Sequence, residues 1–268
     1  MNKSLGQHLL VSEGVLDGII EAAELSGDDL VVEVGPGTGL LTKKLLEAAG
    51  HVVAVEIDAG MVEQARAMLT EHQNLTLVHG DIREQSPSAL TGGRPYIVVA
   101  NLPYYVASPT VRLFLEAEHS PRRMVVMVQR EVAQQMTASP GKSSLLTIAT
   151  QVYADARTAR RVKPGSFVPA PGVESAVVRL DVLPEPRIAE DLLPQFFRVA
   201  RAGFSAPRKQ LRNSLSNGLG VNAASVDAGL AAVGIDGRRR AETLAIEEWA
   251  AIALVMQRFV IDGQSRAP

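Results

Sequence analysis

Apolar positions first recur at helical spacing in Val15, Leu16, Ile19, Ile20 and Ala23, with Ser12 placed as an N-cap. The pattern then changes period. Leu30–Val34 is a short apolar run of strand type, interrupted by Gly35-Pro36-Gly37-Thr38-Gly39. Leu40, Leu41, Leu45 and Leu46 restore the helical period until Gly50. The alternation continues with strands at 52–55, 75–78, 96–100 and 124–128 and helices at 61–69 and 110–118. Strand and helix in this rhythm predict βαβ units, hence an α/β fold with a parallel sheet and helices on both faces. Two more strands are expected at 145–153 and Ser175–Val182, joined by the Pro-rich stretch 163–172. Past Pro184 only helical periodicity remains, at 192–202, 208–215, 224–233 and 246–259. The expected division is therefore 1–184, an α/β domain, and 185–268, a small all-helical domain.

Composition narrows the class without naming a function. The 268 residues are 46% hydrophobic and 21% charged, as in a soluble globular protein. No apolar run approaches the ~18 residues of a membrane span, and residues 1–8 lack the apolar core of a leader. No cysteine is present, and the five His have no metal-site spacing, so neither a disulfide, a thiolate centre nor a bound metal is expected. The expected location is cytoplasmic. Net charge is −2, but residues 1–155 carry −7 and 156–268 carry +5. Such asymmetry suggests an anionic partner for the basic part.

The glycine turn at 35–39 sits where a first strand becomes a first helix. Glycine there lets a ligand approach the backbone. A dinucleotide fingerprint needs Gly-x-Gly-x-x-Gly, but position 40 is Leu, and no Gly-Lys-Ser/Thr phosphate loop follows. Glu56 ends the second strand, 21 positions after Gly35, where a carboxylate can accept both ribose hydroxyls. Asp81 ends the third strand and can accept from an adenine amino group. All three lie at carboxyl ends of parallel strands, where open α/β sheets bind ligands. A nucleoside without a diphosphate fits, and S-adenosyl-L-methionine is the candidate cofactor. The fourth strand ends in Asn101-Leu102-Pro103-Tyr104-Tyr105.

Glu33-x-Gly35-x-Gly37-x-Gly39 with Glu56, Asp81 and Asn101-Leu102-Pro103-Tyr104 resembles the class I methyltransferases, in which Asn-x-Pro-Tyr serves methylation of exocyclic amines. Four further stretches narrow the likeness: Lys3-Ser4-Leu5-Gly6-Gln7-His8-Leu9-Leu10, Gln129-Arg130-Glu131-Val132, Phe167-x-Pro169-x-Pro171-x-Val173-x-Ser175, and Phe204-x-x-x-Arg208-Lys209-x-Leu211-x-Asn213-x-Leu215. Together they resemble the small-subunit rRNA adenine dimethyltransferases of the KsgA type. Leu5 and Leu9 replace the usual Phe, and Tyr105 stands where many members carry Asn or Ser.

The resemblance implies a class I, Rossmann-like domain and an rRNA-binding helical domain. It implies dimethylation of N6 on two adjacent adenosines in the 3′-terminal hairpin of 16S rRNA, during small-subunit biogenesis, by a monomeric enzyme acting on the subunit or its precursor. His8, Leu10, Gly35, Gly37, Glu56, Asp81 and Asn101 would bind the cofactor. Asn101, Leu102, Pro103 and Tyr104 would form the catalytic turn. The Asn101 amide oxygen and Leu102 carbonyl would accept the N6 hydrogens and aim the lone pair. Pro103 would stiffen the turn. Tyr104 and Phe167 would sandwich an adenine taken out of its stack. Arg208 and Lys209 would hold RNA, with further cations at Arg157, Arg160, Arg161, Lys163, Arg201, Arg212 and 238–240. Two alternatives stand beside this. The related large-subunit methyltransferases share the cofactor site but fit the Pro-rich and 208–215 stretches less well. A non-catalytic RNA-binding factor of the same fold would not need Asn101–Tyr104.

Overall fold

The structure is a computed structural model that describes residues 8–264, the side chains only as far as 257. The front of the N-terminal motif, residues 3–7, lies outside the described residues. In chain order the strands are β1 (Leu9–Leu10), β2 (Leu30–Val34), β3 (His51–Glu56), β4 (Leu75–His79), β5 (Tyr96–Asn101), β6 (Arg123–Gln129), β7 (Ala154–Val162), β8 (Phe167–Val168) and β9 (Ser175–Val182). The helices are α1 (Glu13–Ala23), α2 (Leu40–Ala48), α3 (Ala59–Met68), α4 (Pro87–Thr91), α5 (Ala107–Leu115), α6 (Arg130–Met136), α7 (Leu145–Gln151), α8 (Leu193–Phe204), α9 (Leu211–Leu219), α10 (Ala223–Ala232) and α11 (Ile246–Gln264).

Seven strands form one sheet in the order β4-β3-β2-β5-β6-β9-β7. The five from β4 to β6 are parallel, as expected. β9 runs antiparallel to β6, and β7 antiparallel to β9. β2 is buried at every position, as in a strand covered on both faces, and its one polar residue is Glu33. Val31, Val52, Ala54, Ile97, Val99, Val125 and Met127 share a core with Val15, Leu16 and Ile19 of α1 and Leu41 and Leu45 of α2. The alternate face packs elsewhere: Tyr96 meets Phe114 of α5, ring centroids 6.3 Å apart. β2 lies between β3 and β5, so the winding reverses there and a crevice opens beyond Val34 and Ala100, which are register partners.

The C-terminus of α1 is fastened to the antiparallel strands by two arginines. Arg179 Nη1 donates to the Ala22 carbonyl at 3.0 Å and Arg123 Nη1 to Ala23 at 2.8 Å. These are free last-turn carbonyls, and cations there also meet the negative end of the helix. Asp181 takes Arg123 Nε at 2.8 Å and Arg179 Nε at 2.9 Å, and Glu24 pairs with both guanidiniums. Ser12 does precede α1, but its side chain makes no capping hydrogen bond.

One expected strand needs correction. The stretch 145–153 is a helix, α7, not a strand. Its start is a reciprocal cap: Ser144 Oγ accepts from the Thr147 amide at 3.2 Å, and Thr147 Oγ1 accepts from the Ser144 amide at 2.9 Å. That cap outweighs the β-branched Thr147, Ile148 and Thr150. The strand falls instead on 154–162, where Arg157, Arg160 and Arg161 and an irregularity between Thr158 and Arg160 hide the alternation. Finally, the chain divides into two compact units, 1–134 with 153–184 and 135–152 with 185–268. Residues 135–152 group with 185–268, and within that unit α7 packs on α8.

The second unit centres on Trp249 of α11, fully buried, its ring 5.4 Å from Phe204 of α8. A Cβ at Gly203 would run into the Trp249 ring, so the absence of a side chain there sets how closely α8 and α11 approach. No helix of the described residues is long and apolar enough to cross a membrane.

Candidate active site

A cavity of about 150 Å³ opens at the switch point of the first unit. Of the expected cofactor and target residues, His8, Leu10, Gly35, Gly37, Glu56, Asp81, Asn101, Leu102, Pro103, Tyr104 and Phe167 all line it. The loop after β2 supplies the first wall. Gly35 has φ 70°, and a Cβ there would meet only open space, so its backbone stands bare toward the cavity.

Glu56 closes β3 and is 4% exposed. Its Oε2 accepts from the Gly37 amide at 3.2 Å and its Oε1 from the Asp58 amide at 3.0 Å. Each oxygen keeps a lone pair for a further donor, which suits a ribose diol. Ile57, half exposed beside it, and Ile82 give flat apolar contact. Asp81 is more committed than its sequence position suggests. Arg83 holds both carboxylate oxygens, through its amide and Nε to Oδ1 at 2.9 and 3.0 Å and Nη2 to Oδ2 at 2.5 Å. That pairing holds the Asp81 carboxyl below the usual range. An adenine amine would share the carboxylate with Arg83.

No ligand role follows from the sequence position of Glu33, the first residue of the glycine motif. It is 1% exposed, lines the cavity, and its Oε2 has no hydrogen-bond partner. Burial pushes its pKa up to about 8; the neighbouring Thr42 hydroxyl opposes the rise and the Glu56 charge adds to it. An orphaned buried carboxyl oxygen is costly unless a donor arrives. A cationic ligand would supply one, so the donor set fits S-adenosylmethionine, which carries an ammonium group and a sulfonium.

The target side is built from β5 and the Pro-rich loop. Asn101 ends β5, and its side-chain amide has no hydrogen bond among the described residues. The Leu102 amide donates to Met127 O at 3.2 Å and the Val106 amide to Pro103 O at 3.0 Å, which fixes the turn. The Tyr104 hydroxyl shares a 3.0 Å hydrogen bond with Ser175 Oγ, at the first residue of β9. His8 Nδ1 donates to Pro169 O at 2.7 Å, and its ring lies 6.0 Å from that of Tyr104. β1 and β8 pair antiparallel, Leu9 with Val168 and Leu10 with Phe167, tying the N-terminal segment to the Pro-rich loop. Phe167 is 4% exposed and belongs to the core, so it is a wall of the cavity rather than a free plate. Among the described residues no group of three or more metal-ligating side chains occurs.

A family model described as ribosomal RNA adenine dimethylase matches residues 1–258. The chain belongs to the ribosomal RNA adenine dimethylase family. A relative from Dehalococcoides mccartyi, called ribosomal RNA small subunit methyltransferase A, is 46% identical over 94% of this chain and 87% of its own length. One of the same name from Clostridium botulinum is 41% identical over 92% and 91%. Among solved structures, a dimethyladenosine transferase from Plasmodium falciparum superposes with a TM-score of 0.80 at 26% identity, over 94% of this chain and 98% of that one. The 23S rRNA methyltransferase ErmE follows at 0.74 and 28%, over 93% and 99%.

The expected RNA-binding cations divide into two groups. Arg238 is held by Asp236 at 2.9 Å, Arg212 by Asp227 at 3.1 Å and Arg239 by Glu248, while Arg240 lies 3.8 Å from Glu242. Arg157, Arg160, Arg161 and Lys163 in the first unit are exposed and unpaired among the described residues, as are Arg201, Arg208 and Lys209 in the second. Arg208 and Lys209 sit in the turn before α9, because that helix starts at Leu211 rather than 208.

Proposed function

We infer that this protein transfers methyl groups from S-adenosylmethionine to adenine N6 in small-subunit rRNA, dimethylating two adjacent adenosines of the 3′-terminal hairpin of 16S rRNA. The carrying observation is one cavity in which an intact Asn101–Tyr104 turn faces Glu56 and the orphaned Glu33 carboxyl. The names of the relatives support rRNA of the small subunit as substrate. The same reading makes the protein a cytoplasmic monomer acting on the subunit or its precursor.

S-adenosylmethionine supplies an electrophilic methyl group. The protein's own part is positioning. Adenine N6 is a weak nucleophile, because its lone pair is delocalised into the ring. The unpaired Asn101 amide oxygen and the Leu102 carbonyl accept the two N6 hydrogens, which favours a pyramidal nitrogen and aims its lone pair. Tyr104 lies on the face of the flipped base. The nitrogen becomes acidic once methylated and charged, so a strong base is unnecessary.

Incubation of the purified protein with unmodified small subunits and cofactor, followed by sequencing of the product, tests the assignment. Dimethylated adenosines in the 3′-terminal hairpin are expected; methylation confined to large-subunit RNA, or none, overturns it. Asn101→Ala should keep cofactor affinity by calorimetry and lose turnover by about 100-fold or more. Unchanged turnover would remove Asn101 from the mechanism.

A further inference from the structure

Ser175 closes a run that resemblance assigns to the family, yet no role follows from the sequence. In the structure it has no solvent exposure, and its hydroxyl bonds the hydroxyl of Tyr104, 71 positions away in the chain. Its backbone is also fixed, in register with Gln129 of β6 and Val162 of β7. It therefore sits where three strands meet, immediately after the loop that carries Phe167. The Arg130–Glu174 ion pair at 2.7 Å and the Arg130 amide to Glu174 O hydrogen bond at 2.9 Å hold the neighbouring residue.

Tyr104 needs such an anchor. It is only half buried and projects from a turn, with its ring on the cavity. A tyrosine ring pivots about two side-chain torsions. A hydroxyl bonded to water would leave that pivot soft. A bond to a buried hydroxyl on a three-strand junction fixes the far end of the ring against the sheet. Misplacement of about 1 Å at a reacting centre can cost about 100-fold in rate, so the anchor has kinetic leverage.

We propose that Ser175 is a positioning residue for methyl transfer, setting the Tyr104 ring plane against which the target adenine is aligned. This rests on the reading of Tyr104 as a wall of the target site. Ser175 touches neither the adenine nor the cofactor; it acts only through the Tyr104 hydroxyl.

The experiment is a double-mutant cycle on full-length protein with unmodified small subunits, reading kcat, KM for RNA and cofactor affinity. Ser175→Ala should lower kcat about 5- to 10-fold, with cofactor affinity by calorimetry and melting temperature near wild type. Tyr104→Phe should do the same, and the double variant should be no worse than either single one, because one interaction is being removed twice. Equal kcat in Ser175→Ala and wild type overturns the proposal. So does a Ser175→Ala loss of the same size in the Tyr104→Phe background, which would mark a purely structural effect. Tyr104→Ala separates the two levels. If it retains full turnover, the reading of Tyr104 falls and takes the proposal with it; if it loses turnover while Ser175→Ala does not, only the proposal falls.

Discussion

Glu33 shows how one side chain joins stability to ligand binding. Its carboxyl stays protonated in the folded protein up to about pH 8 but ionises near 4.5 when unfolded. The unfolded chain therefore binds fewer protons in that window, and the contribution of Glu33 makes stability fall as pH rises from about 4.5 to 8. Glu33→Gln should melt above wild type at pH 8, by a margin that narrows toward pH 5 in thermal scans. The same carboxyl should ionise when a cation docks against it. Calorimetry near pH 7 in buffers of different ionisation enthalpy should then report proton release on cofactor binding in wild type and its loss in Glu33→Gln. Glu56→Ala should weaken cofactor binding by about 10-fold or more, because two backbone amides orient its oxygens toward the cavity.

At the scale of elements, close approach and caps decide more than propensity does. Gly203→Ala places a methyl against the buried Trp249 ring, and overpacking of this kind costs about 1–3 kcal/mol. A lowered denaturant midpoint, with an unchanged slope, is the expected result. The same scale explains what could be read in advance. β2, β3, β5 and β6 were legible because each is a mostly apolar run bounded by polar turns, and the edge strand β4 because Leu75, Leu77 and Val78 run into the turn at His79-Gly80. α7 was not, because Thr147, Ile148 and Thr150 look like strand residues and the deciding feature is a cap between Ser144 and Thr147. β7 was not, because an edge strand can carry arginines along its length and still pair on one side. The cofactor residues were legible as strand ends. Ser175 was legible only as a motif letter, since its partner lies in another strand's turn, and the loss of Asp81's free capacity to Arg83 depends on a rotamer.

For the molecule as a whole, the positive half is less available than its charge count suggests. Arg238 is already bidentate to Asp236, whereas Arg157, Arg160 and Arg161 are exposed on the edge strand β7, with Arg160 lying over Gly18 of α1, and Lys163 follows directly after that strand. Replacing those three by Ala should lower the slope of log K for rRNA against log salt by roughly 2–3, whereas Arg238→Ala should leave it unchanged. An unchanged slope in the triple variant would place the phosphate contacts elsewhere. Acid should act on the whole fold through the Arg123–Arg179 cluster. Its hydrogen bonds and charges outweigh burial and hold the Asp181 carboxyl below the ordinary range. The stabilisation this gives is present above the unfolded value of 3.8 and lost as pH falls through the lower folded value. Arg179→Met should therefore flatten the acid limb of the stability curve.

The pairing of β1 with β8 has a consequence in time. His8 and its acceptor Pro169 are 161 positions apart. At about 5–20 residues per second, a ribosome needs roughly ten to thirty seconds to make the second after the first. Once Glu56 has been made, the nascent chain carries the glycine turn and that carboxylate for the rest of the interval without the wall that Phe167 provides. Tight capture of cofactor thus belongs to a late stage of synthesis, and a chain stalled before residue 167 would be a sheet with its binding crevice still open on one side.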